Sequence, residues 1–241
     1  MGFRNWLIAL LVAPTLLWAG PALAQSVSFD MGNGSLSLQS VQLFVLLTLL
    51  SLAPGIAMMV TCFPFMVTVL SILRQAIGVQ QAPPNMMIVS LAIFLTWFVM
   101  APVFTQAWDT GVVPLMDGLI ETSVAIERVL APFREFMLGR VQADTLELMV
   151  NSANRAPIEG EMPLSILVPS FLLSEIQRGF EIGFLIFLPF LVIDLVIAAV
   201  LMSMGMMMVP PAVIALPFKL AFFVLADGWA LIAGALVQSY Q

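Results

Sequence analysis

Histidine is absent from this 241-residue chain, cysteine occurs once, and lysine and arginine together number only 8. Without histidine there is no His-based triad, most zinc sites are excluded and the commonest proton shuttle is missing. The lone Cys62 cannot close an intramolecular disulfide. The 8 cations stand against 14 acidic residues, for a net charge of −6, which argues against a nucleic-acid surface. Charged residues make up 9% of the chain, where a soluble domain carries about a quarter. No nucleophile–base pair, metal-ligand cluster or phosphate loop stands out. The sequence therefore does not read as an enzyme, and no catalytic residue, metal or cofactor is expected.

What fills the chain is apolar. Hydrophobic residues account for 61% and the mean hydropathy is +1.09, so the bilayer is the solvent to reason about. The expected class is an all-α membrane protein. At the N-terminus, Arg4 precedes the apolar "WLIALLVAPTLLWAG", and Ala22 and Ala24 form an A-x-A pattern before Gln25. Residues 1–24 read as a cleaved secretory signal. An uncleaved membrane helix is the alternative, but Pro14, Gly20 and Pro21 suit a signal better. Cleavage places the mature N-terminus outside the cytoplasm and the protein in a bacterial inner membrane.

Residues 25–40 are polar and read as flexible. No charge occurs from Val41 to Leu73, a run interrupted by Pro54-Gly55 and Pro64, which predicts a kinked or broken helix. Arg74 and the turn "GVQQAPPN" lead to a second run, Met86–Trp108, giving a first helical hairpin over residues 41–108. Residues 109–163 differ, with four arginines and nine acidic residues. Leu119, Val124, Val129, Phe133, Met137 and Val141 trace an amphipathic helical stripe that Pro132 is expected to kink or divide. This segment is placed outside the hydrocarbon and outside the cytoplasm. Residues 164–241 form a second hairpin whose runs are separated by "MSMGMMMVPP" (Met202–Pro211). Four spans put both ends outside, and the Arg74 and methionine turns in the cytoplasm.

Glu175, Arg178, Glu181, Asp194, Lys219 and Asp227 lie within this second apolar block. A lone mid-bilayer charge costs on the order of 3 kcal/mol, so each needs a partner. Glu175, Arg178 and Glu181 recur every three residues and share a helix face. Lys219 is the only lysine, and Glu175 is its expected partner, within the chain or across copies. Two uses fit such charges: fixing helix packing, or relaying protons or ions. The methionines also admit two readings. They are apolar filler, or they are an adaptable hydrophobic seal, because methionine is flexible and polarizable and an apolar constriction excludes ions. Gly205 permits a bend among them, and Pro210 and Pro211 stop the helix.

Several stretches carry a resemblance. "PSFLLSEIQRGFEIGF" (169–184) and "PFKLAFFVLADGW" (217–229) are similar to the two signature stretches of the FliP family. "RQAIGVQQAPPN", "LAIFLTWFVMAP", "PFREFML" and "GMMMVPP" resemble further family segments in the same order. The likeness covers nearly the whole chain after the signal. Ser170, where the family more often has alanine, departs from the pattern. The resemblance implies the P-subunit of the flagellar type III export gate, related to injectisome export proteins. Five copies would assemble with four small Q-subunits and one R-subunit into a helical, cone-like pore for unfolded flagellar proteins, in the inner membrane at the flagellar basal body. It further implies a gasket at Met206, Met207 and Met208, with Met204 beside it. A proton- or ion-coupled transporter using Asp194, Asp227 and Lys219 is the competing function.

Overall fold

The computed structural model describes residues 36–79, 83–153, 161–206 and 208–240. Every regular element among them is helical. Contacts divide the chain into two units, Met1–Leu50 and Ser51–Gln241. The signal, its cleavage residues Ala22, Ala24 and Gln25, and most of the polar segment that follows lie outside the described residues.

Helix α1 (Leu36–Met59) absorbs Pro54 in its interior. The break in the first apolar run falls at Val60–Cys62 instead, where Thr61 Oγ1 donates to the Met58 carbonyl at 3.3 Å. Pro64 then sits in the first turn of α2 (Phe63–Ile77), where a missing N–H breaks no helical bond. Helix α2 ends at Gly78 with φ +85°, the left-handed stop that glycine adopts without strain.

The sequence gives little hint that α2 is the centre of the fold. It buries Phe65, Met66, Val69, Leu70, Leu73, Ala76 and Ile77, a spacing of three and four that puts them on one face. It packs along α7 (Leu164–Ser203) and against α3 (Asn85–Ala107). Glycines allow the close approach to α7: a Cβ on Gly179 would lie 3.1 Å from Thr68, and one on Gly183 would lie 2.3 Å from Ile72.

Helix α3 runs into a π-helical turn (Trp108–Val112) and the short α4 (Val113–Met116). Gly111 in that turn meets Val129 of α5 (Thr122–Arg140) so closely that a Cβ would clash at 2.5 Å. Pro132 neither divides nor ends α5; it is buried within one continuous helix. Leu119 and Val124 are exposed, and the buried positions of α5 begin at Ala125, six residues after the first residue of the expected stripe. Helix α6 (Ala143–Ser152) follows and lies on α7.

Helix α7 has 40 residues and is about 60 Å long at 1.5 Å per residue, twice the ~30 Å hydrocarbon core. Part of it must therefore lie outside the hydrocarbon. Helices α8 (Pro211–Leu225) and α9 (Gly228–Gln238) meet at a 61° bend. Asp227 takes φ +49° there, and Gly228 has no room for a side chain against Phe223. Among the described residues three helices are long and apolar enough to cross a membrane, Ser40–Met59, Asn85–Met116 and Leu164–Ser203, and the bent pair is a fourth if it forms one span.

Candidate functional site: a methionine turn and two charge clusters

The methionine turn joins α7 to α8. Gly205 takes φ +74°, its N–H bonds the Met202 carbonyl at 3.1 Å, and the Met206 N–H reaches the Leu201 carbonyl at 3.0 Å. This crossed pair is the Schellman closure, which satisfies carbonyls left open at the end of a helix. Pro210 caps α8 and Pro211 is its first residue, so neither removes a bond that the helix needs. Met204 and Met206 are 67% and 41% exposed, and Met208 is 97% exposed. Met207 lies outside the described residues. These three are not packed against the rest of the chain as a core residue is.

Lys219, on α8, is buried. Its Nζ donates to Asp194 Oδ2 on α7 at 2.6 Å and to the Ala76 carbonyl in the last turn of α2 at 3.1 Å. A cation at a helix C-terminus is favoured by the exposed carbonyls there, by up to about 2 kcal/mol when partly buried. One ammonium thus ties α2, α7 and α8 together. The Glu175–Lys219 pair expected from the sequence does not form within the chain, because Lys219 is committed to Asp194 and Glu175 to other cations. Asp227 is exposed at the bend between α8 and α9 and does not join Lys219.

Glu175 is fully buried within α7. Arg140 Nε, at the end of α5, lies 3.3 Å from Glu175 Oε1, and Arg178 lies 3.9 Å away on the next turn of α7. The Tyr240 hydroxyl donates to Glu175 Oε2. Burial, then the neighbouring carboxylate, pushes the Tyr240 phenol well above its ordinary range, so it remains a donor. The Arg140 guanidinium stacks over the Tyr240 ring at 4.0 Å and its Nη1 donates to the Ser239 carbonyl at 2.9 Å. Ser174 Oγ accepts the Gln142 N–H at 3.0 Å and donates to the Ser170 carbonyl. Ser170 is itself buried, and its hydroxyl back-bonds to the Ile166 carbonyl at 2.7 Å, so serine is satisfied where alanine would also fit. Glu181 accepts from Gln177 on an exposed face and stands apart from this cluster.

Arg140 and Tyr240 escaped the sequence reading, because their partners lie 35 and 65 positions away. One signal was available. In a chain so poor in cations, a buried acid must draw on one of a handful of arginines, and Arg140 stands between Met137 and Val141 on the apolar stripe.

No group of three or more metal-ligating side chains occurs among the described residues. The arrangement is mechanical: a protruding apolar turn held by charge clusters that fasten helices distant in sequence. The FliP family profile matches residues 46–236. The chain is 54% identical to the flagellar biosynthetic protein FliP of Caulobacter vibrioides over 224 residues, 91% of this chain and 84% of that protein. It is 46% identical to the Rhizobium meliloti protein of the same name, over 99% of this chain and 98% of the relative. For the Bacillus subtilis protein of that name the figures are 46%, 83% and 92%. With a profile across most of its length and close relatives covered nearly end to end, the chain belongs to the FliP family.

Proposed function

We propose that this chain is a structural, non-enzymatic subunit of the flagellar protein-export gate in the bacterial inner membrane. In this reading it forms part of a pore for unfolded flagellar proteins at the basal body. Five copies assemble with the small Q- and R-type subunits, and the methionine turn closes the pore. The relatives' shared name supports the flagellar role. The observation that carries the sealing role is the exposure of Met204, Met206 and Met208 around the left-handed Gly205 and ahead of the Pro210-Pro211 restart. A fixed turn presents a flexible apolar tip that the chain itself does not use for packing. Rings of such tips exclude ions and still yield to varied polypeptides.

The test pairs two readouts on one variant. Replacing Met206, Met207 and Met208 with alanine should leave complex yield unchanged on size-exclusion chromatography, while cells overproducing the complex leak small solutes. Leucine at the three positions keeps volume and should leak less, but export more slowly, because leucine adapts less readily. If the alanine variant fails to assemble and no leak appears, the methionines serve packing, at about 2–5 kcal/mol per buried site, and the seal is refuted.

A further inference from the structure

Helix α9 is short, 11 residues or about three turns. Its buried face is a single seam, Gly228, Ile232 and Leu236. What fixes its far end is the pair of residues that follows it. The Tyr240 ring packs edge-on to Phe65 of α2 at 5.5 Å and stacks with Phe136 of α5 at 6.1 Å. The guanidinium of Arg140 covers it, its hydroxyl holds Glu175, and the neighbouring Ser239 carbonyl takes a second bond from Arg140.

We propose that Ser239–Tyr240 is a latch that docks α9 onto the Arg140–Glu175 pair and thereby joins the two arms of the methionine hairpin at their far ends. One arm is α7, which supplies Glu175. The other is the bent α8–α9 pair, which Tyr240 terminates. Arg140 of α5 is the keystone between them. A groove of about 350 Å3, lined by Gln106 of α3 and by Glu135, Gly139 and Arg140 of α5 among others, lies beside the Tyr240 ring and leaves open space on one side of it. This inference does not depend on whether the methionine turn seals a pore.

Hydrogen exchange on the full-length chain in detergent micelles tests it. In Tyr240→Ala, amides of residues 228–238 should exchange at least ten-fold faster, while those of α2 (63–77) keep their protection. Tyr240→Phe retains the ring contacts and loses only the hydroxyl to Glu175, so a smaller rise, confined to the same peptides, is expected. Arg140→Lys keeps a charge for Glu175 but loses the stacked plane and the fork to Ser239, and should accelerate α9 as well. Unchanged protection of α9 in Tyr240→Ala overturns the latch. If that variant loses protection throughout, Tyr240→Phe decides: a rise limited to α9 supports the latch, and no rise or a global one refutes it.

Discussion

Lys219 joins three helices through two hydrogen bonds, and its removal exposes what they contribute. Lys219→Met keeps the stem but strands Asp194 against apolar neighbours. The loss should be about 3 kcal/mol, the low end for breaking a buried pair, because the Asp194 side chain keeps 33% exposure. Adding Asp194→Asn removes the stranded charge and should recover part of the loss. Thermal unfolding of the two single variants and the double variant in detergent measures this. Strict additivity would show that the two groups do not interact. At this scale the sequence was legible as chemistry but not as pairing. It showed that Glu175, Asp194 and Lys219 each needed a partner. Which partner depends on how α2, α5 and α7 cross, and nothing in the local sequence records that. The methionine turn was more legible, because Gly205, Pro210 and Pro211 act through their own backbones and need no distant contact to take effect.

Helices were visible as apolar runs, yet their roles were not. In a soluble protein a polar outer face would have marked α2 as amphipathic and central. Here the half-buried positions between them, such as Val67 and Ile72, are apolar too, so the three-and-four spacing of its buried residues is hidden in a uniformly hydrophobic string. Of the two interruptions expected in the first apolar run, only the one at Pro64 is realised, at the start of α2. Pro54 is tolerated inside α1, and only packing decides which proline interrupts a helix. Close helix approach makes its own prediction. At Gly183 a β carbon would lie 3.1 Å from the branched Cβ of Ile72, which cannot swing aside as a chain end can. Gly183→Val should force α2 away from α7 and cost about 1–3 kcal/mol. Gly234→Ala in α9 meets nothing within 4 Å and should be neutral or stabilising by up to about 1 kcal/mol. Thermal midpoints of the two variants in the same detergent should move in opposite directions or differ by several degrees. Equal midpoints would mean that the α2–α7 seam is not tight.

Taken whole, the molecule leaves an unusual amount of aromatic and aliphatic surface uncovered. Phe94, Trp97 and Phe98 on α3, and Phe180, Phe184, Leu185 and Leu195 on α7, are all largely exposed. Soluble monomers rarely carry such continuous apolar faces, and here lipid or neighbouring subunits must cover them. The A-x-A pattern of Ala22 and Ala24 carries a prediction of its own: N-terminal sequencing of the chain recovered from assembled complexes should begin at or within a few residues of Gln25, and recovery of Met1 would contradict cleavage. The uninterrupted length of α7 has a mechanical consequence. Glu175 is clamped near one end and the methionine turn follows Ser203 at the other, so 28 residues, about 42 Å of helix, separate fulcrum from tip. A rod of that length is a lever. Tilting it by about 5° at the clamp, with α2 and the Lys219–Asp194 tie moving along with it, carries the tip through roughly 4 Å, about the width of one side chain, with no helical hydrogen bond broken.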